Sequence, residues 1–298
     1  MRPLKAALIG RSLTHSISPE VHSALFPYVC PPQLKYRYDG IDYSKIECAD
    51  ENEMLDIIRG GLLKGTHGYN VTFPYKDVAS RLSGEVDPVA RDIHSANTIV
   101  LIPGGAKVYS TDGLGFREAL HKEQPSLAPS QYQLIVLGAG GAARAVIQAV
   151  YKMGWGEITA CARSLDHARF AFGHYGNVKT STIAELTPTP LWRLVVQATP
   201  VGQRSRESLL EDFDWRPGDI AVDLIYNPLR TRFLDTAASG GATIISGLGM
   251  LIEQAALSQY IWIKEKPANT TLLSVKHYRE LYTELAKFVT PRWDDSAI

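Results

Sequence analysis

The sequence has no surplus of either charge: 31 Lys and Arg face 31 Asp and Glu across 298 residues, and the formal net charge is zero. Proteins that hold nucleic acid or an anionic membrane carry a basic excess, and an acidic solvating tail tilts the count the other way. Neither nucleic acid nor membrane is therefore expected as a partner. Cysteine is scarce. Cys30, Cys48 and Cys161 show no CxxC or Cys/His spacing, so neither a disulfide framework nor a metal site is expected. Long hydrophobic runs are missing too. The longest, residues 134–150, is interrupted by Gly138, Gly140, Gly141 and Arg144, which a lipid-spanning helix would avoid. The N-terminal run Ala6-Ala7-Leu8-Ile9 is shorter than a signal-peptide core of about 7 to 15 residues. Export is not expected, and a reducing, cytoplasmic setting is. There is no low-complexity block and no repeat at a fixed period.

What is present is an ordinary globular composition, 45% apolar and 21% charged. A chain of this length favours one or two domains and buries roughly three quarters of its unfolded surface.

Short β-like runs alternate with helical patterns, which predicts an α/β fold built on mostly parallel sheet. Residues 5–9 read as a strand. Ser18 then offers an N-cap hydroxyl, with Pro19 at the first helical position, for a helix over 20–26. A second strand is predicted at 34–38, a helix over 52–59 ending at Gly60-Gly61, and a strand at 67–72 broken by Pro74. Residues 87–93 read as helix, and 98–102 with 107–110 as an antiparallel hairpin across Pro103-Gly104-Gly105. After a polar stretch at 122–130 comes the most regular pattern: strand 133–137, a glycine turn, helix 142–152 and strand 158–161, a βαβ unit. Short strands follow at 195–196, 220–224 and 243–245, then helices over 250–264 and 271–289.

The turn Gly138-Ala139-Gly140-Gly141-Ala142-Ala143 fits G-x-G-x-x-A, directly after a strand and opening a helix. Small residues there let the backbone approach a pyrophosphate, which the N–H groups and dipole at the helix start attract. The bland alternative is a glycine-rich connection that holds nothing. A dinucleotide site that prefers NAD places Asp or Glu at the end of the next strand. Here that position reads Ala162-Arg163-Ser164, with no carboxylate and with an arginine suited to a 2′-phosphate. NADP is favoured over NAD. Asp166, three positions on, keeps a ribose 2′-OH contact open, and Arg163 has the alternative of a solvated loop residue.

Taken together these segments resemble the shikimate dehydrogenase family, including its quinate/shikimate relatives, over most of the chain. The resemblance rests on Ser12-Leu13-Thr14-His15-Ser16-Ile17-Ser18-Pro19 with His22, on Gly68-Tyr69-Asn70-Val71-Thr72-Phe73-Pro74-Tyr75-Lys76, and on Ala96-Asn97-Thr98. It continues through Thr111-Asp112-Gly113, the glycine turn, Ala198-Thr199-Pro200-Val201-Gly202, Asp223-Leu224-Ile225-Tyr226-Asn227-Pro228, and Gly247-Leu248-Gly249-Met250-Leu251 with Gln254. Two departures stand out. The family usually has Asn-Arg-Thr at the adenosine-ribose loop with a second basic residue after it, where this chain has Ala162-Arg163-Ser164 and then His167. Residues 269–298 also extend past where many members stop. Their apolar positions Leu272, Val275, Tyr278, Leu281, Tyr282 and Leu285 keep helical spacing, which predicts packing on the body or on a partner rather than chemistry.

The resemblance implies an N-terminal α/β substrate domain over 1–113, a Rossmann-type NADP domain over 114–246, and C-terminal helices over 247–298 returning to the substrate domain. It implies reversible NADPH-dependent reduction of 3-dehydroshikimate to shikimate, in the chorismate route to aromatic amino acids, by a monomer or homodimer. Lys76 and Asp112 would be the catalytic pair. Ser16 and Ser18 would hold the substrate carboxylate, with Thr72, Asn97, Asp112, Tyr226 and Gln254 on its ring hydroxyls. Gly138, Ala139, Gly140, Gly141, Ala142, Arg163, Ser164, Thr199, Leu224 and Gly247 would hold the cofactor. Each has a bland reading: Ser18 as a cap, Asn97 as a turn residue, Tyr226 as core, a lone lysine or aspartate as surface charge. His15 and His22 read as structural. Two alternatives remain at this point: a quinate/shikimate dehydrogenase using NAD, and a non-catalytic metabolite-sensing binding protein.

Overall fold

The computed structural model describes residues 2–30, 32, 37–82, 84–186, 189–264 and 271–291. The chain divides into two units, Met1–Glu118 with Ile252–Leu285, and Ala119–Leu251 with Ala286–Ile298. In the first, the apolar run near the N-terminus becomes β1 (Arg2–Gly10), followed by α1 (Ser18–Val29), β2 (Tyr38–Glu47), α2 (Glu51–Gly61), β3 (Gly68–Val71), α3 (Lys76–Ala79), β4 (Gly84–Val86) and α4 (Pro88–Asp92). The predicted hairpin is β5 (Thr98–Ile102) with β6 (Gly105–Tyr109), and α5 (Asp112–Glu123) leads away from it.

The sheet order is β2-β1-β3-β5-β6-β4. Strands β1, β2 and β3 run parallel, whereas β5 is antiparallel to β3 and β6 to β5. That reversal has a geometric consequence. The carboxyl ends of β1 and β3, the start of β5 and the end of β6 all emerge at one end of the sheet. One face of the sheet is sealed by a core that includes Ile9, Met54, Tyr69, Tyr75 and Ile99.

Two predicted features of this unit are corrected. Ser18 is not the cap of α1; it is the first helical residue, Ile17 stands at the cap, and no side chain caps the helix. The second strand starts at Tyr38 rather than ending there, and residues 34–36 of the predicted strand lie outside the described residues.

The second unit contains β7 (Tyr132–Leu137), α6 (Gly141–Val150), β8 (Glu157–Cys161), α7 (Leu165–Phe172), β9 (Val178–Ser181), β10 (Trp192–Gln197), β11 (Ile220–Asp223), α8 (Arg232–Ser239) and β12 (Thr243–Ile245). Its sheet has the order β12-β11-β10-β7-β8-β9 and is parallel throughout. The order reverses between β7 and β10. In open parallel sheets ligands bind outside the carboxyl ends at such a switch point, and the glycine turn lies there. Buried Ile135, Val195, Leu210, Trp215, Phe233 and Leu234 pack one core of this unit.

Helix α9 (Leu248–Lys264) carries the chain back to the first unit, and α10 (Val275–Leu285) follows. The packing of Val275–Leu285 is thereby accounted for, while Ala286–Ile298 fall with the second unit. Tyr278, Leu281 and Leu285 are buried, and α10 packs on α1, with Tyr28 and His277 rings 4.8 Å apart. Val275, predicted on the packed face, is exposed, and residues 269–270 and 292–298 lie outside the described residues. Among the described residues, no helix is long and apolar enough to cross a membrane.

Candidate active site

The shared sheet end of the first unit gathers residues that are far apart in sequence. Thr72 follows β3, and its N–H donates to Ile9 O at 2.9 Å, which ties the two strand ends together. Lys76 opens α3, and its carbonyl accepts from Ala96 N–H at 2.8 Å, anchoring the lysine beside the segment that enters β5. Asn97, directly before β5, is locked by backbone bonds in both directions: its N–H donates to Tyr109 O at 3.1 Å, and its carbonyl accepts from Val71 N–H at 2.9 Å. Asp112 is the first residue of α5, where a carboxylate meets the positive end of the helix.

These side chains converge. Lys76 Nζ donates to Asp112 Oδ2 at 2.6 Å, and Asn97 Nδ2 donates to Asp112 Oδ1 at 3.0 Å. Both carboxylate oxygens thus accept from fixed donors. The Asp112 side chain is 6% exposed and that of Lys76 22%, so the lysine reaches solvent while its partner does not. The Asn97 amide is itself oriented, because Thr111 N–H donates to its Oδ1 at 2.8 Å. Asn97 Nδ2 also lies 3.1 Å from Gln254 Oε1. Gln254 comes this close because α9 lies against Gly115 of α5, where an added Cβ would stand 2.7 Å from the Gln254 backbone nitrogen. Ser16, on the loop after β1, and Ser18, at the start of α1, face each other with hydroxyl oxygens 2.9 Å apart. Thr72, after β3, is half-buried and makes no side-chain bond among the described residues.

Sequence reasoning passed over the groups that stiffen this arrangement. Buried Asn70 of β3 donates through Nδ2 to Asn97 O at 3.0 Å and faces Ser258 Oγ at 3.0 Å and Thr98 Oγ1 at 3.2 Å. Ser258 lies one helical turn beyond Gln254, whose carbonyl it bonds at 2.9 Å. A polar residue in the middle of a fully buried four-residue strand was the available signal for Asn70.

The remaining candidates lie in the second unit, around the switch point. Gly138 adopts φ +118, a conformation that side chains rarely take, and its N–H donates to Cys161 O at 2.7 Å. Gly140 is the N-cap of α6, and no side chain caps that helix. A Cβ on Gly140 would meet nothing within 4 Å. The first-turn N–H groups of Gly141 and Ala142, beside Ala139, thus have no side-chain cap. Arg163 follows β8, is exposed, and has no ion-pair partner among the described residues. Ser164 caps α7, its hydroxyl accepting from His167 N–H at 3.3 Å.

Across the switch point, Thr199 is folded back on Gln197, whose Oε1 accepts from its N–H and its hydroxyl, both at 2.7 Å. Leu224 N–H donates to Gln197 O at 2.9 Å, and Gly247 N–H to Ile225 O at 3.1 Å, so both follow the strand ends. Asp223, fully buried, accepts from Ile225 N–H at 3.0 Å and from the Thr231 hydroxyl at 2.6 Å. Burial pushes its carboxyl up to about 7 against those two bonds. It braces the turn that presents Leu224 and half-buried Tyr226. Tyr226 thus belongs to the second unit, apart in the chain division from the other predicted substrate residues, which all lie in the first.

Most of the chain is similar to shikimate dehydrogenases. A sequence model of the shikimate dehydrogenase substrate binding domain matches residues 8–99. A shikimate dehydrogenase (NADP(+)) of Pyrococcus abyssi is 35% identical over 86% of this chain and 90% of its own length. One of Methanopyrus kandleri is 36% identical over 87% of this chain and 90% of its own. The crystal structure of a Thermus thermophilus shikimate 5-dehydrogenase, in complex with NADP(H) and shikimate, superposes with a TM-score of 0.70 at 28% identity, covering 93% of this chain and 99% of that one.

Proposed function

The chain belongs to the shikimate dehydrogenase family, and from that premise we propose how its own residues carry out the NADP-dependent interconversion of 3-dehydroshikimate and shikimate. The observation that carries the reading is the Lys76–Asp112 pair, 2.6 Å apart and braced by Asn97 at the end of the first sheet.

Reducing the ketone requires a hydride at carbon and a proton at oxygen. NADPH, when bound, supplies the hydride. Lys76 supplies the proton: its ammonium donates to the ketone oxygen as the alcohol forms, and in the reverse direction its amine takes the hydroxyl proton. The partial exposure of Lys76 gives the proton a path to and from water, whereas Asp112, nearly closed off, keeps the lysine aimed. Asp112 and Asn97 also offer an acceptor and a donor to neighbouring ring hydroxyls, with Gln254 and Thr72 extending the set. The paired hydroxyls of Ser16 and Ser18 suit a carboxylate, which accepts from both once they turn away from each other.

The residues at the switch point fit a dinucleotide. The uncapped start of α6 and the open side of Gly140 suit the pyrophosphate, and exposed Arg163 at the end of β8 suits the 2′-phosphate. Thr199, Leu224 and Gly247 line the strand ends opposite. Arg163→Ala is expected to raise the KM for NADPH about tenfold and to leave that for NADH within about twofold, since one charge-assisted contact of roughly 1.5 kcal/mol is lost only with the phosphorylated cofactor. Steady-state titration with each cofactor measures it, and an unchanged NADPH constant would remove Arg163 from the site. Three buried free thiols, with Cys161 pushed up to about 12 by burial, suit a reducing cytoplasm.

Reduction of 3-dehydroshikimate by NADPH, with shikimate identified as product, tests the whole reading. A folded protein that binds shikimate calorimetrically and turns nothing over would fit a metabolite sensor instead.

A further inference from the structure

The Asn70 amide that supports Asn97 is itself held from behind. Gln259 of α9 places its side-chain nitrogen 2.6 Å from His22 O and 3.1 Å from His22 Nδ1. A backbone carbonyl only accepts, so the atom beside it is the amide nitrogen; the reverse orientation would set two oxygens against each other. The same nitrogen donates to Nδ1, which must then be the bare nitrogen of the ring, and the imidazole proton sits on Nε2. From there it reaches Asn70 Oδ1 at 3.0 Å, where the Tyr43 hydroxyl donates a second bond at 2.9 Å. With its oxygen claimed twice, Asn70 turns its nitrogen toward Asn97 O, again an obligate acceptor.

Every proton in the series therefore has a direction fixed by a backbone group. His22 and Gln259 are 1% and 0% exposed, and the imidazole is stacked on Tyr43 at 4.0 Å with Trp262 at 5.4 Å. Burial holds the imidazole down at about 3, so it stays neutral at working pH. Gln259 Oε1 has no partner among the described residues. The side chain forgoes an acceptor contact while keeping its nitrogen on His22.

We propose that Gln259 and His22 are positioning residues for the proton-transfer pair: Gln259 selects the Nε2–H tautomer of His22, which orients Asn70, which fixes Asn97 and through it the Asp112 carboxylate. The inference rests on the reading of Lys76 and Asp112 as that pair. Removing either remote residue loosens or removes one of the two donors on Asn70 Oδ1; the effect falls on the geometry of Asp112 and Lys76 and leaves the Ser16–Ser18 pair that suits the substrate carboxylate untouched.

The test compares His22→Leu, Gln259→Leu and His22→Gln with the unaltered protein. The leucine variants are expected to lower kcat about tenfold with KM within about threefold, and His22→Gln, whose amide nitrogen can stand in for Nε2–H, to regain most of the loss. Because a leucine variant can fail to fold, nitrogen-15 NMR of the unaltered protein gives a second readout: a single Nε2–H tautomer for His22, unchanged between about pH 5 and 8. Folded leucine variants with unchanged kcat would overturn the proposal, as would a glutamine variant no better than leucine, or an Nδ1–H ring. Asp112→Asn is measured alongside. If it keeps full kcat, the pair itself has been misread and the inference falls with it; if it is inactive while His22→Leu is not, only the positioning role is lost.

Discussion

Lys76→Ala is expected to lower kcat by about 10² to 10⁴, the usual contribution of a positioned general acid or base, with a smaller change in KM. The reasoning is structural. Among the described residues Lys76 Nζ is the one cationic group bonded to Asp112, and Asn97, its other donor, and Gln254, which meets Asn97, carry neutral amides that hold no transferable proton at neutral pH. The alanine variant keeps those amides and the serine pair, so substrate still binds while the alkoxide forms without a proton donor. Steady-state kinetics on a variant shown by circular dichroism to be folded measures the effect. A kcat within about fivefold of the unaltered enzyme would assign the proton to another group.

Asp219→Ala is expected to destabilise the second unit by about 3 to 5 kcal/mol, the cost of breaking a buried ion pair on one side only. Asp219, just before β11, is fully buried and accepts from Arg193 N–H at 2.8 Å, Arg193 Nε at 3.0 Å and Arg216 N–H at 3.1 Å. Arg193 begins the buried part of β10 with its guanidinium 4.4 Å over the Phe213 ring. Alanine would leave that charge buried without its counter-ion. The strands concerned are those whose far ends present Thr199 and Leu224, so cofactor affinity is expected to fall with stability. Denaturant unfolding followed by tryptophan fluorescence suits the test, because Trp155, Trp192 and Trp215 all lie in this unit. A loss below about 1 kcal/mol would show that the pair is compensated by water.

The parts of the molecule that local pattern dictates were legible in the sequence. The βαβ unit from β7 to β8 has strands buried on both faces, a helix with one apolar stripe and a turn that tolerates only small residues, so periodicity and glycine spacing agree. The long edge strand β2 was not legible in the same way, because exposed Asp39, Asp42, Lys45 and Glu47 interrupt its apolar run. Short β4 and β9 carry too few buried residues to leave a period. Ser18 looked like a cap because a serine before a proline has that signature, yet its hydroxyl faces Ser16 instead.

The site divides along the same line. Gly138, Gly140 and Gly141 report their turn locally, whereas the separation of 36 positions between Lys76 and Asp112 carries no local trace of their meeting. That contact depends on the β5–β6 hairpin, whose turn was legible, running antiparallel beside β3, a pairing no local pattern reports. The buried amides and hydroxyls of Asn70, Thr98 and Ser258 were less visible still, since each comes from a different element and looks, alone, like an ordinary core polar residue.

Steady-state oxidation of shikimate and of quinate, each with NADP⁺ and with NAD⁺, tests the central claim most directly. The account predicts that shikimate with NADP⁺ has the highest kcat/KM, by about tenfold or more over either change of partner: NAD⁺ lacks the phosphate that Arg163 pairs, and quinate brings a further hydroxyl on a tetrahedral ring carbon beside its carboxylate that the site must accommodate. Preference for quinate with NAD⁺, or a folded protein inactive with all four pairs, would contradict it.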